Sequence, residues 1–373
     1  MLLAFVWVNT PAVEVYDLIH HTLFSVQFGE FGISKPLVDW INEGLMVFFF
    51  FAIGLEIKRE ILVGELSSPR KLALPAIGAL GGIAIPAAIY LVFNAGNPET
   101  QHGWAVPVAT DIVLALAVLS ILGARVPPAL KVFLVALAVF DDFGTLVIIA
   151  LFYTEGLSLI SLALAGIGLL ALIGLNRFRV AHITPYVLIG IAVWAAVLES
   201  GVHATIAGVL VAWTIPLEVR GRPMLSVVET GMRSWVAYGV VPVFAFFNSG
   251  IHLAGTSFAS LAGPASIGAG LGLFLGKPLG VFGASALAIV SGLGKRPPTI
   301  TWLHLLGASM LAGVGFTISL FVAALAFDHP AALQGVTLSI IIASSLSAVS
   351  GLGVLSLAAR NSLLANPQQS IPQ

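Results

Sequence analysis

Apolar runs long enough to cross a lipid bilayer recur along the whole 373-residue chain. A membrane-spanning helix needs about 20 mostly apolar residues. A soluble domain carries about 25% charged residues, whereas only 9% of this chain is charged. We therefore predict an all-α polytopic membrane protein, because the chain has too few charged side chains to cover a surface exposed to water. Eleven full spans are expected near residues 37–57, 72–94, 103–123, 129–153, 157–175, 182–198, 201–216, 235–253, 265–292, 303–327 and 334–358.

The N-terminal stretch "MLLAFVWVNTP" is apolar for only eight residues before Asn9, which is too short to cross a bilayer. It has no basic n-region and no small-residue cleavage site, so it does not resemble a signal peptide. We interpret it as the tail of a truncated first helix, which would bring the total to about twelve.

The basic residues indicate how the chain is oriented. All of the 16 Lys and Arg residues except Lys35 and Lys277 lie in alternate connections or after the last span. The positive-inside rule places these basic groups, and with them the C-terminus, in the cytoplasm. A net charge of −1 leaves no electrostatic footprint for nucleic acid. The absence of cysteine excludes disulfides, thiolate metal sites and a cysteine nucleophile.

Residues 23–34, "LFSVQFGEFGIS", predict a β-hairpin outside the membrane. Apolar residues alternate on both sides of Gly29-Glu30, and glycine as the first of two connecting residues suits a type II′ turn. An exposed apolar hairpin is a candidate contact between copies of the chain. Folding of the hairpin onto its own chain is the alternative.

Two adjacent carboxylates interrupt the span around "LAVFDDFGTLV". In a transmembrane helix, Asp141 and Asp142 each cost roughly 2.5–3.5 kcal/mol, and the fourteen Val, Leu, Ile and Phe residues between positions 132 and 152 return only about 6 kcal/mol. Asp111 and Lys277 also lie inside spans. Intramembrane charges are usually functional, but one Asp–Lys pair can also be a static contact that fixes helix packing. Three carboxylates against one lysine leave a negative surplus, which packing does not need and a cation-binding site does.

Geometry indicates that the two neighbouring carboxylates have different surroundings. Asp141 and Asp142 point about 100° apart on a helix and cannot share one face. Because they repel each other when both are ionised, one can hold either a proton or a cation near physiological pH. Carboxylate, carbonyl and hydroxyl oxygens are the ligands that hard cations such as Na⁺ prefer. Lys277 either pairs with an aspartate or compensates exposed helix carbonyls.

Two spans carry matching breaks at mid-length. Pro107 cannot donate its backbone hydrogen bond, so it breaks the helix just before Thr110 and Asp111. Paired broken spans are typical of a transporter site between inverted repeats, and Asp111 can neutralise the helix N-termini that such breaks expose. The second break, in "LAGVGFTISLFVAAL", contains Gly313, Gly315 and Thr317.

Several motifs in order resemble the NhaA family of sodium/proton antiporters over residues 36–358. They are "GLEIKRE", "GWAVPVATD", "ATDIVLALAVL", "ALAVFDDFGTLVIIALFYT", "GVHATIAGV", "FLGKPLG" and "GVGFTIS". The resemblance implies twelve helices, with inverted repeats formed by helices 3–5 and 10–12, and with helices 4 and 11 crossing where they unwind. It also implies that Asp142 is the principal carboxylate for sodium and protons, that Asp141 pairs with Lys277, and that Thr110 and Asp111 lie at the crossing.

The same resemblance implies a pH-regulated, electrogenic exchange of Na⁺ or Li⁺ for H⁺ in the bacterial inner membrane, without a cofactor. It implies a homodimer that forms through the hairpin at 23–34. The candidates for pH sensing are Glu56, Glu60, His203 and Glu229. The corresponding parts are an interface part (1–71), a first core repeat (72–153), interface helices (154–253), a second core repeat (254–358) and a cytoplasmic tail (359–373).

Three other functions are weighed against exchange. A sodium-coupled symporter of similar fold would carry an organic substrate, and a purely structural scaffold would carry no ions. An intramembrane aspartyl protease needs one aspartate on each of two helices, usually with a glycine before one of them. Here two aspartates are adjacent and no Gly-Asp occurs, so proteolysis is disfavoured.

Overall fold

A computed structural model describes residues 2–29, 31–64, 69–154, 156–251, 261–327 and 329–365. Most of these residues are helical, and the described part of the chain contains one two-stranded sheet. The chain divides into two compact units. We call Met1–Gly64 with Leu146–Gly255 the hairpin unit, and Glu65–Thr145 with Thr256–Gln373 the carboxylate unit.

The helices and strands follow the predicted runs closely. Three π-helical segments, Trp40–Leu45, Val236–Val240 and Gly272–Gly276, and two 3₁₀ segments, His102–Val108 and Gly123–Arg125, lie between helices. The regular elements are α1 (Leu2–Val8), α2 (Val13–His21), β1 (Leu23–Phe28), β2 (Phe31–Pro36), α3 (Leu37–Asp39), α4 (Met46–Val63), α5 (Pro69–Asn94), α6 (Pro98–Gln101), α7 (Ile112–Ser120), α8 (Pro128–Phe152), α9 (Leu159–Arg177), α10 (Ile183–Leu198), α11 (Thr205–Thr214), α12 (Met224–Trp235), α13 (Val241–Asn248), α14 (Pro264–Leu271), α15 (Lys277–Val290), α16 (Trp302–Leu311), α17 (Phe316–Ala326) and α18 (Pro330–Ala365).

Apolar helices run through both units, as the composition predicts. Among the described residues, five unbroken helices are long and apolar enough to cross a membrane, and two further helix pairs qualify if each bent pair is one span. The bends are 42° and 43°. Helices α10 and α11 are apolar but shorter. The fold class is thus confirmed, while the count of eleven or twelve spans stays a prediction. The N-terminal stretch forms the short helix α1.

The predicted hairpin is present in the hairpin unit. Strands β1 and β2 pair antiparallel, with Val26 opposite Ile33, and Gly29 has the positive φ of 65° that such a turn requires. Glu30 lies outside the described residues, so the type of the turn stays a prediction. The side chains of Phe24 and Val26 are about half exposed (52% and 51%).

In the carboxylate unit, α5 packs directly against α15 at paired glycines. A Cβ atom added to Gly81 would lie 2.3 Å from the carbonyl oxygen of Gly280, and one added to Gly280 would lie 2.1 Å from that of Gly81. The two backbones therefore touch without a layer of side chains between them. Gly272, Gly276 and Gly280 recur every four residues, the spacing that allows membrane helices to approach closely.

Candidate ion-binding site

The two broken helix pairs are joined to each other where each loses its helical form. Backbone N–H of Asp111 donates to the carbonyl of Val314 (2.6 Å), and the Thr110 hydroxyl lies 2.8 Å from the carbonyl of Ala312. Residues 109–111 and 312–315 are non-helical in the structure. The first break directly follows the 3₁₀ segment that contains Pro107, and the second follows α16 and contains Gly313 and Gly315. These breaks place polar backbone groups in the buried interior of the carboxylate unit.

Asp111 accepts hydrogen bonds from the starts of both half-helices that follow the breaks. Its Oδ1 accepts from the backbone N–H of Leu114 in α7 (3.0 Å). Its Oδ2 accepts from the backbone N–H of Thr317 in α17 (3.1 Å) and from the Thr317 hydroxyl. One carboxylate thus caps two helix N-termini, where a negative charge is favourable.

Asp141 forms an ion pair with Lys277 inside the protein. Lys277 Nζ lies 2.6 Å from Asp141 Oδ2, and both side chains are fully buried. Of the two roles open to the lysine in the sequence, the structure has it pair with an aspartate. Lys277 is the first residue of α15, immediately after the π-helical segment Gly272–Gly276. Asp142, which is 4% exposed, also interacts electrostatically with Lys277.

The Thr110 hydroxyl lies between two acceptors. It is 2.7 Å from Asp141 Oδ2 and 2.8 Å from the carbonyl of Ala312, yet a hydroxyl carries only one proton. It can therefore satisfy only one of the two at a time. Asp141 Oδ1 is also buried without a hydrogen-bond partner. The site has more acceptor oxygens than protons, an arrangement that favours a cation.

Pro107, Gly313 and Gly315 are buried at the breaks. Gly315 N–H donates to the hydroxyl of Ser344 (3.3 Å), and a Cβ atom on Gly313 would lie only 2.6 Å from the carbonyl oxygen of Leu273. Larger residues at Gly313 would displace the π-helical segment that contains Leu273.

Three of the four candidates for pH sensing lie together in the hairpin unit. Arg59 Nε lies 2.8 Å from Glu229 Oε2, and Arg59 Nη1 lies 2.7 Å from Glu60 Oε1. Arg233 lies 3.1 Å from the second oxygen of Glu229. Glu56 interacts electrostatically with Glu60, Glu229 and both arginines. We call these five residues the α4–α12 charge cluster.

His203 occupies a different position from that cluster. It lies in the connection just before α11, where its carbonyl accepts a hydrogen bond from Ile206 N–H (3.0 Å). Next to the cluster in sequence, Lys58 donates from Nζ to the carbonyls of Trp213 and Ile215 at the end of α11.

Sequence reasoning missed several features of the site. It did not identify the arginines Arg59 and Arg233 as partners of Glu229, although their opposite charge was a signal. It also missed the π-helical segment before Lys277, for which the run of glycines was the available signal. Thr145, one turn beyond the carboxylates in α8, was visible only as a polar residue in an apolar run.

In the part of the chain that the structure describes, no group of three or more His, Cys, Asp or Glu side chains is arranged so that it could hold a metal ion. Sodium at Asp141 and Asp142 would instead be a transported substrate. Such a substrate must also leave its site, which a dense cage of carboxylates would oppose.

Comparison with known proteins gives a consistent result. A family model described as Na+/H+ antiporter 1 matches residues 1–355. A Na(+)/H(+) antiporter NhaA from Maricaulis maris is 58% identical over 355 residues, which cover 95% of this chain and 88% of that protein. A Na(+)/H(+) antiporter NhaA 2 from Pseudoalteromonas atlantica is 49% identical, with 88% and 82% covered. A Na(+)/H(+) antiporter NhaA from Campylobacter concisus is 47% identical, with 95% and 87% covered.

Proposed function

The chain belongs to the Na+/H+ antiporter 1 family and, as a multi-pass membrane protein, exchanges sodium ions for protons, and we propose that this exchange takes place at Asp141 and Asp142. This family consists of transporters rather than enzymes, and the ions are its substrates. The proposal assigns Asp142 as the principal carboxylate for both ions. Asp141, Lys277, Thr110 and Asp111 hold the site in shape.

The observation that carries this assignment is the charge count of the buried site. Asp111, Asp141, Asp142 and Lys277 are all buried. Three buried carboxylates stand against one buried ammonium, that of Lys277, which attracts both Asp141 and Asp142, so a further positive charge at the Asp pair is favourable. A proton or a sodium ion can supply it, but the two compete for the same oxygens. Competition at one site, followed by a change in the side from which the site is reached, is sufficient for exchange.

Electrogenic exchange follows if more than one proton is released for each sodium bound. Two carboxylates and one ammonium lie at the same site, so the number of protons bound can change by more than one. We propose this as the source of charge movement. The double variant Asp141→Asn with Lys277→Gln, which neutralises both side chains, tests it.

We propose that the α4–α12 charge cluster contributes to pH regulation. Its carboxylates Glu60 and Glu229 are buried and depend on arginine partners, so protonation would release those partners. His203 remains a second candidate, since a histidine titrates near pH 6.5 when unperturbed.

We propose that the hairpin at 23–34 joins two copies of the chain. Its support is the half-exposed apolar surface of Phe24 and Val26, which is favourable to cover. We also propose that the protein lies in the bacterial inner membrane, as its family and bacterial relatives suggest, and the alternation of basic residues supports a cytoplasmic C-terminus.

The test of the site is proton flux in proteoliposomes on addition of Na⁺, Li⁺ or K⁺ between pH 6 and 9. We expect Na⁺ or Li⁺ to drive protons in the opposite direction in the wild type, and no such flux in the Asp142→Asn variant. Asp17→Asn is the matched control, because Asp17 lies in α2 of the hairpin unit and should not matter. Wild-type exchange in the Asp142→Asn variant would reject the assigned site. Uptake of an organic substrate together with sodium would indicate a symporter.

A further inference from the structure

Thr145 places a buried hydroxyl in the same helix as the two carboxylates. Its side chain is fully buried, and its Oγ1 has no hydrogen-bond partner in the structure. Burying a hydroxyl without a partner costs about 1–3 kcal/mol. A membrane-spanning helix would avoid that cost with an alanine or valine, so the hydroxyl requires an explanation.

The usual explanation for a hydroxyl in a membrane helix does not apply to Thr145. Serine and threonine ordinarily donate to the carbonyl one turn earlier in the same helix. Thr154, Ser309 and Ser345 do so, each at 2.8 Å from the carbonyl four residues before it. The Thr145 hydroxyl makes no hydrogen bond to the corresponding carbonyl, that of Asp141. The lone pairs of the Thr145 oxygen therefore remain available.

Helix geometry places Thr145 beside both carboxylates. An α-helix turns about 100° and rises about 1.5 Å for each residue. Thr145 is four residues after Asp141 and three after Asp142, so it projects about 40° from the first and about 60° from the second. Its direction therefore lies between those of the two carboxylates, roughly 4.5–6 Å further along the helix axis.

We propose that the Thr145 hydroxyl is a further oxygen ligand for sodium at the Asp141–Asp142 site. This inference rests on the proposed function, because it adds a ligand to the site assigned there. Sodium is a hard cation that prefers oxygen ligands, and a hydroxyl is one of them. Cation binding would also give the buried oxygen the partner that the helix does not provide.

A hydroxyl ligand would act differently from a carboxylate in the competition between sodium and protons. A carboxylate binds both ions, so its removal changes sodium affinity and proton competition together. A threonine hydroxyl binds no proton in the physiological range, so it strengthens only the binding of sodium. Its loss should therefore raise the sodium KM by the same factor at every pH.

The experiment measures the sodium KM of exchange in proteoliposomes from pH 7 to 9 for the full-length wild type and Thr145→Val. We expect the sodium KM to rise about three- to tenfold, the effect of losing one polar contact. The curve of log KM against pH should shift upwards as a whole, and the pH at which proton competition bends it should stay the same. Thr145→Ser should restore wild-type values. Thr154→Val is the matched control, since Thr154 bonds to its own helix, and it should leave KM unchanged.

Three results would overturn the proposal. One is a wild-type sodium KM in the Thr145→Val variant together with an inactive Asp142→Asn variant. That result would mean that sodium binds at the carboxylates without Thr145. Another is a bend that moves to a different pH, which would mean that Thr145 acts on a carboxylate instead of on sodium. If Thr145→Val does not fold, Thr145→Cys preserves the volume but replaces the hard oxygen with sulfur, and a wild-type KM in that variant also overturns the proposal. Wild-type exchange in Asp142→Asn would instead reject the site itself.

Discussion

Replacing Lys277 by alanine should leave the Asp141 carboxylate charged and buried without its ammonium partner. The two atoms of the ion pair are 2.6 Å apart and both side chains are fully buried. Removing one partner of a buried pair costs about 3–5 kcal/mol, most of it from the charge left behind. Unfolding entropy of about 2.1 cal/mol/K per residue, applied to 373 residues, gives about 0.8 kcal/mol per kelvin. The expected fall in melting temperature is then roughly 4–6 °C.

Neutralising both members of the ion pair shows whether the loss of stability in Lys277→Ala comes from the Asp141–Lys277 contact. Asp141→Asn together with Lys277→Gln removes both charges while keeping similar volumes, so most of the lost stability should return. In a double-mutant cycle, contacting residues show an interaction energy that distant residues do not. Lys295→Ala, which removes an exposed lysine, is the control and should change stability by no more than about 0.5 kcal/mol.

The measurement is thermal unfolding of the purified protein in detergent, followed by exchange assays on the same samples. Strictly additive losses for the two single variants would refute the pairing and with it the division of labour between Asp141 and Asp142. If the pair is only structural, the double variant should still exchange sodium for protons. If Lys277 carries a proton during exchange, the part of exchange that the membrane potential drives should disappear.

Three further outcomes are expected. Asp142→Asn should abolish exchange without lowering the melting temperature, because it removes a charge but keeps the volume; sodium binding at wild-type affinity would contradict this. Deleting residues 23–34 should give monomers that still exchange ions, and a mass measurement in detergent that still finds dimers would place the contact elsewhere. Lys58 lies beyond the apolar run 37–57, and burial lowers its pKa from 10.5 to about 8. Between pH 8 and 10.5 the unfolded chain therefore binds one more proton than the folded protein. The free energy of unfolding should rise with pH in that range. Lys58→Met should flatten that rise in melting curves from pH 7 to 10; an unchanged slope would contradict the assignment.

The sequence was sufficient to predict the broken helices and the residues at them. Pro107 has no backbone N–H and Gly313 and Gly315 have no side chains, so their effect on a helix is local and can be inferred from a single stretch. The hairpin was predictable for the same reason, since the register depends on the alternation around Gly29. The pairing of Asp141 with Lys277, 136 positions apart, was expected from the resemblance to the NhaA family, because the residues alone left open whether the lysine meets an aspartate or exposed helix carbonyls.

Other features depend on contacts that no local pattern specifies. The π-helical segment before Lys277 adds a residue to one turn, and the glycines there permit it without requiring it. The link between Arg59 and Glu229 joins two helices whose relative positions the sequence alone does not determine. Thr145 was visible as a polar residue, but only the structure shows that its hydroxyl does not bond to its own helix.

The glycine contact between α5 and α15 has a consequence for motion during transport. Where Gly81 and Gly280 bring two backbones together, no side chains can repack to let one helix slide or tilt against the other. We expect the two helices to move together, with Lys277, the first residue of α15, travelling with α5. A change in the side from which the site is reached would then have its hinge elsewhere than between these two helices.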